Sequence, residues 1–258
     1  MLFNDKNLKM FIIKNLTPEI KYKKLKMMNH FYEMLTATVS HDMRTPLNSM
    51  IGLLNTLELF IDENGKRFLN IIKSSSNFLL FLVNDLLDFF QIKNGKFKKN
   101  EGWVDLRQSL KDLIEMLNSQ AQEIGLILIY DCDPALPSSL FLDQQRIKQI
   151  LLNLVQNALK FTQTGHIKIE TKYNKKSQKL IVSVSDTGIG IKEEDRPKLF
   201  QLFGKLEVSE KINTTGIGLG LSICKQIVEI FDGTIYVDES YKNGAKVTFE
   251  VRVQDNLP

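Results

Sequence analysis

Between about Lys66 and Gln91 the chain carries Phe68, Ile71, Ile72, Phe78, Leu79, Leu82, Val83, Leu86, Leu87, Phe89 and Phe90, largely as adjacent pairs repeated at helical spacing. An apolar stripe this wide on one helix cannot be covered by a single neighbour. A second helical pattern precedes it. Thr17 reads as an N-cap with Pro18 at the first helical position. From there Leu25, Met28, Tyr32, Leu35 and Val39, then Met43, Leu47, Met50, Leu54 and Leu57, step by threes and fours to about Phe60. Asp62-Glu63-Asn64-Gly65 reads as the turn between the two. A hairpin alone leaves apolar surface open, and two hairpins closing into a four-helix bundle bury it. The pattern therefore predicts an α-helical hairpin forming a dimeric four-helix bundle, and so a homodimer.

After Ile92 the pattern changes. Residues 93–102 are polar and read as a linker. Beyond them helices are expected at about 105–124, 143–160, 193–203 and 217–231. Strands are expected at 126–131, 165–173, 178–185, 233–238 and 245–253. The second region is thus α/β, and Phe97 and Trp103 are expected to pack the linker onto it. The 258 residues suit one large or two small domains, and 43% hydrophobic with 25% charged residues is an ordinary globular balance. The net charge of +4 lies largely in Lys21–Lys26 and Lys93–Lys99, without interleaved aromatics, so no nucleic-acid platform is expected. Cys132 and Cys224 form no metal-ligand or disulfide pattern. No apolar run reaches the roughly 18 residues of a membrane span, and no signal peptide is evident. The expected localisation is cytoplasmic, which leaves open an anchor elsewhere in a longer parent.

One polar island interrupts the first helical pattern: Ser40-His41-Asp42-Met43-Arg44-Thr45-Pro46-Leu47. It coincides with a run of three steps of four, a stutter that unwinds a heptad seam, and His41 falls off that seam. Pro46 removes the helical partner of the Asp42 carbonyl and favours a kink. That kink either serves switching or is simply tolerated. Further on, Asn153 and Asn157 are four apart on an expected helix, so both carboxamides share a face, with Lys160 one turn later. Amide oxygens suit Mg2+; equally, such a pair can satisfy buried backbone groups. Asp186-Thr187-Gly188-Ile189-Gly190 follows an apolar strand. Its glycines allow close backbone approach, and Asp186 is able to accept a hydrogen bond from an exocyclic amine. Gly216-Ile217-Gly218-Leu219-Gly220 opens a helix whose N–H groups are suited to phosphate. Either glycine run also fits an ordinary turn. Residues 204–215 between them are polar and read as a mobile lid.

Taken together, these motifs resemble the catalytic core of a sensor histidine kinase of the two-component type, over residues 20 to 253. The island resembles the phospho-acceptor box. Asn153 to Thr162 resembles the N box, Asp186 to Gly190 and Gly216 to Leu221 the two glycine boxes, and Phe200-Gln201-Leu202-Phe203 the F box. The resemblance implies a helical dimerisation and phosphotransfer domain at 18–92 and an α/β sandwich ATP-binding domain of the Bergerat (GHKL) type at 103–258. Residues 1–17 resemble the end of an upstream PAS-like sensor. It further implies that His41 takes the γ-phosphate of ATP, that Asp42 orients and deprotonates it, and that Thr45 positions water for phosphatase action. Asn157 would ligate Mg2+ with Asn153 beside it, Lys160 would contact phosphate, and Asp186 would bind the adenine amine. Gly188, Gly190, Gly216, Gly218 and Gly220 would admit the nucleotide. The partner implied is the receiver domain of a response regulator, in another chain or elsewhere in a longer one.

The chain departs from the family at Ala245-Lys246, where a small hydroxyl residue usually follows the glycine; this is expected to be a rim position of little consequence. Topoisomerase, chaperone and mismatch-repair ATPases share the glycine boxes but carry a glutamate at the position of Asn153. An amide is no general base, so hydrolysis is disfavoured against transfer to His41. A GHKL-type ATPase, or a dimeric scaffold that only binds nucleotide, is the alternative.

Overall fold

Asp62 sets the turn of the hairpin. Its carboxylate accepts the Gly65 N–H at 2.9 Å and caps the helix that follows. Asp62-Glu63-Asn64-Gly65 is therefore mostly the cap and first turn of that helix, which begins three residues earlier than the apolar pattern suggested. The computed structural model describes residues 17–38, 43–201 and 219–255, and the chain divides into two units, Met1–Lys96 and Phe97–Pro258. The first unit is helical: α1 (Thr17–Thr38), α2 (Arg44–Leu57), a 3-10 turn (Glu58–Phe60) and α3 (Glu63–Lys93). Pro46 lies near the start of α2, and Asp42, whose carbonyl stands one turn before it, lies outside the described residues.

α3 packs against both α1 and α2. Leu47 of α2 meets Val83 and Leu87 of α3 in a small core flanked by Leu80 and Leu86. Arg44 reaches the Asn84 side-chain oxygen at 3.0 Å, and Lys73 holds Glu58 at 2.5 Å. The wide stripe of α3 is thus split. Leu69, Val83, Leu87 and Phe90 are buried, whereas Phe68, Ile72 and Leu79 stand about half exposed or more. Met43, just before α2, and Met50, Leu53 and Leu57 within it are likewise open.

The second unit is a two-layer α/β sandwich. Its elements are β1 (Gly102–Val104), α4 (Leu106–Glu123), β2 (Ile127–Cys132), β3 (Leu140–Leu142), α5 (Gln144–Phe161), β4 (His166–Asn174), β5 (Lys179–Asp186), α6 (Gly220–Ile230), β6 (Thr234–Val237), β7 (Lys246–Arg252) and β8 (Gln254–Asp255). Five strands form a mixed sheet in the order β2-β4-β5-β7-β6, with β2 and β4 parallel and the other pairs antiparallel. One face is apolar (Ile167, Ile169, Leu180, Val182, Phe249, Val251) and takes the buried sides of α4, α5 and α6, among them Leu110, Leu151, Leu154, Ile223 and Ile227. On the open face Lys168 bridges Asp131 and Glu170, both at 3.1 Å, and Lys246 lies between Glu170 and Asp238.

Two features depart from the sequence reading. A second sheet, β1-β3-β8, joins the start of the unit to its end; its strands of two or three residues are too short to show a period. The α-helix expected at 193–203 is instead a 3-10 helix over Glu193–Lys198, with Pro197 inside it, since proline cannot supply the N–H a longer helix needs. Residues 1–16, nearly all of the stretch that resembles an upstream sensor, and the lid at 204–215 lie outside the described residues.

Candidate functional site

α5 is the spine of the site. Asp143 caps it, accepting the Arg146 N–H at 3.2 Å. Ile147, Ile150, Leu151, Leu154, Val155 and Ala158 seal its inner face. The period that buries these residues also carries Asn153 inward, to 6% exposure, while Asn157 one turn on is half-buried. The helix ends at Phe161, and the Thr162 N–H closes it onto the Ala158 carbonyl at 3.0 Å. Lys160, half-buried, has its ammonium 5.2 Å from the centroid of the Phe161 ring.

The turn after β5 folds onto that helix end. Ile189 donates its N–H to the Phe161 carbonyl at 3.3 Å, and a Cβ at Gly188 would run into the same carbonyl oxygen. Only glycine fits there. Gly190 has φ +69° and faces the Gly244 carbonyl. The Thr187 hydroxyl accepts the His166 N–H at 3.0 Å, pinning the other side of the turn to the start of β4.

Asp186, the last residue of β5, is 8% exposed. Its Oδ1 accepts two backbone N–H groups, from Gly188 at 2.8 Å and from Ala245 at 3.2 Å. Burial pushes the carboxyl above the ordinary aspartate range, and the two N–H bonds only partly offset it. With Oδ1 engaged twice, Oδ2 is the oxygen left for an incoming donor.

Position 245, expected at a rim, instead brackets this carboxylate: the Ala245 N–H reaches Oδ1 and its carbonyl accepts the Asp186 N–H at 2.9 Å. What the position contributes here is main chain, so the missing hydroxyl leaves this contact intact.

α6 begins at Gly220, packed so closely on α5 that an added Cβ would strike Asn153 Oδ1. Leu219, which precedes α6, makes no side-chain cap, and among the described residues no side chain caps its first turn. The structure therefore brings Asn153, Asn157, Lys160, Asp186, Gly188, Gly190 and Gly220 to three adjoining elements: the C-terminal half of α5, the β5 turn and the start of α6. Thr45 is exposed in the first turn of α2. His41, Asp42, Gly216 and Gly218, with Leu202 and Phe203 of the F box, lie outside the described residues. Phe161 and Gly244 are additions that the sequence reading did not single out, and Ala245 was named only as a departure at the rim. Gly244 alone carried a signal, the Lys242-Asn243-Gly244 turn. Chemically, a desolvated carboxylate, two amide oxygens and the backbone N–H groups of a helix start suit a ligand with an amine at one end and phosphate at the other.

Among the described residues no cluster of three or more His, Cys, Asp or Glu is placed to hold a metal. No described helix is long and apolar enough to cross a membrane.

Two family models match the chain. Residues 33–95 fit the His Kinase A (phospho-acceptor) domain and residues 142–255 the histidine kinase-, DNA gyrase B- and HSP90-like ATPase. The hybrid signal transduction histidine kinase L of Dictyostelium discoideum is 37% identical over 225 residues, 85% of this chain and 13% of that protein. The signal transduction histidine-protein kinase BarA of Escherichia coli K12 is 34% identical over 224 residues, 85% of this chain and 24% of BarA. The chain thus spans a quarter or less of these relatives. Among solved structures, full-length ShkA in complex with AMPPNP aligns with a TM-score of 0.66 at 28% identity, over 87% of this chain and 47% of that one.

Proposed function

The chain belongs to the histidine kinase family, covering its phospho-acceptor and ATPase portions, and from that premise we propose that it is an ATP-dependent protein histidine kinase that phosphorylates its own His41. The observation that supports this most is the convergence of Asp186, the Asn153–Asn157 face and Gly220 at one end of α5. Residues 18–92 serve dimerisation and phosphotransfer, and residues 103–258 bind ATP.

Asp186 Oδ2 accepts the adenine amine in an environment dry enough to make that bond strong. Gly188 and Gly190 let the backbone close on the nucleotide. The backbone N–H groups at the start of α6 face the phosphates, and Lys160 adds positive charge. Asn157 offers a neutral oxygen that fits Mg2+, with Asn153 beside it, and the ion would offset phosphate charge there. An imidazole nitrogen of His41 attacks the γ-phosphorus. The bond to the β–γ bridging oxygen breaks, ADP leaves with that electron pair, and the imidazole proton passes to Asp42. The phosphoryl group then moves to an aspartate of a receiver domain in a response regulator. Thr45, exposed on α2, orients water when the same surface dephosphorylates that receiver. A second copy of the chain covers the open apolar face of Phe68, Ile72, Leu79, Met50 and Leu53, completing a four-helix bundle.

The test is incubation with γ-labelled ATP and Mg2+. The expected product is acid-labile, base-stable label that His41→Gln abolishes. Free phosphate without labelled protein would favour an ATPase, and binding without either would favour a nucleotide-binding scaffold. Sedimentation equilibrium at micromolar concentration should give a dimer; a monodisperse monomer would sink that part.

A further inference from the structure

Three side-chain or backbone contacts fasten the stretch after Lys96 to the α/β unit. The Arg146 guanidinium lies 4.6 Å from the centroid of the Phe97 ring. The Lys99 ammonium lies 4.9 Å from that of Phe231. The Asn100 N–H donates to Asp143 Oδ2 at 2.8 Å. Their targets are not scattered. Asp143 and Arg146 open α5, and Phe231 closes α6. These are the two helices whose other parts meet where Gly220 packs on Asn153. A few linker residues thus hold both site helices at the ends remote from the site.

Asp143 is central to this grip. It is 2% exposed. Oδ1 takes the Arg146 N–H and starts α5, while Oδ2 takes the Asn100 N–H and holds the linker. A carboxylate only accepts, so both donors are satisfied by one side chain. α5 is a continuous helix of 18 residues from that carboxylate to Phe161, and a helix in a close-packed core moves as a body rather than bending locally. A change in how the linker sits on Asp143 therefore reaches Asn153 and Asn157.

We propose that Asp143 is a positioning residue that couples linker docking to nucleotide binding. This rests on the reading that the unit binds Mg-ATP. Coupling between sites is reciprocal: if linker docking sets the α5 position that binds nucleotide best, nucleotide must in turn tighten the linker.

The experiment uses the whole chain and two variants. Asp143→Asn keeps a good N-cap, because asparagine caps as well as aspartate, but it sets an amide N–H against the Asn100 N–H. Phe97→Ala leaves the cap untouched and removes only the linker's ring. Mg-AMPPNP affinity, the KM and kcat of autophosphorylation, and hydrogen exchange at the Asn100 amide are measured. In the wild type, nucleotide should slow exchange at Asn100 by roughly 5-fold or more. Both variants should raise Kd and KM by about the same factor, with kcat little changed. Wild-type affinity and KM in both variants, or Asn100 exchange that ignores nucleotide, overturns the coupling and makes the linker a passive tether. Failure of the wild type to bind Mg-AMPPNP at all overturns the function itself and the coupling with it.

Discussion

Asp186 and Glu170 lie on the same five-stranded sheet and are pushed in opposite directions. Asp186 ends β5 on the face covered by helices; its own burial raises its pKa, and only two backbone N–H groups answer it. Glu170 projects from β4 on the open face. Burial works against its charge too, but Lys168, Lys172 and Lys246 surround it and bring its pKa below the ordinary glutamate value. One carboxylate is left wanting a donor and the other is surrounded by them. On the proposed reading of Asp186 as the adenine contact, the contrast separates a surface whose charges are matched from one that a ligand would complete.

Removing the charge at Asp186 should break the contrast most visibly. Asp186→Asn still accepts the Gly188 and Ala245 N–H groups but loses a charge-assisted bond to the ligand. Calorimetry with Mg-AMPPNP should show affinity falling by about 10- to 100-fold, the size of one bond to a charged group. Unfolding of the ligand-free protein should be unchanged or slightly harder, because a buried charge has gone. A next blow comes from Gly220→Ala, whose methyl group would strike Asn153 Oδ1; urea unfolding should register a loss of about 1–3 kcal/mol, together with weakened nucleotide binding. Glu170→Gln is the smaller counterpart on the open face, costing about 1 kcal/mol or less at pH 7 in the same assay.

Acid titration sharpens the comparison. The folded pKa of Glu170 is depressed, so its stabilising contribution is full above the unfolded value and is lost as pH falls through the folded one. Asp186 is raised, so the native state takes up this proton before the unfolded chain does, and its ionised form costs stability above the raised pKa. Nucleotide affinity should therefore weaken as pH falls through the raised Asp186 titration. An affinity flat across that window in wild type, or still falling in Asp186→Asn, would show that another group controls binding.

What the sequence made legible follows from which groups carry each feature. The long helices and the five strands were readable because side chains alternate or repeat over many residues, as in Ile167-Lys168-Ile169-Glu170. Asn153, Asp186, Gly188 and Gly190 were readable because their chemistry resides in the residue type. The contact of Ala245 with Asp186 was hidden because it runs through the N–H and carbonyl of Ala245, which no side-chain pattern reports. The Asp143–Asn100 bond was invisible for the same reason, being a side chain meeting a backbone N–H 43 positions away. The short sheet β1-β3-β8 lacks a period, and the Asp62 cap was hidden inside what looked like a turn.

That short sheet has a mechanical consequence. β1 and β8 both run antiparallel to β3 and flank it, Gly102 pairing with Leu142 and Asp255 with Leu140. A pull applied before Gly102 and after Asp255 would drag the two strands in opposite directions along β3. Their backbone bonds would be sheared together rather than peeled one at a time. Tension along the polypeptide would meet this clasp first, with the five-stranded sheet and the helices behind it shielded until the clasp gives way.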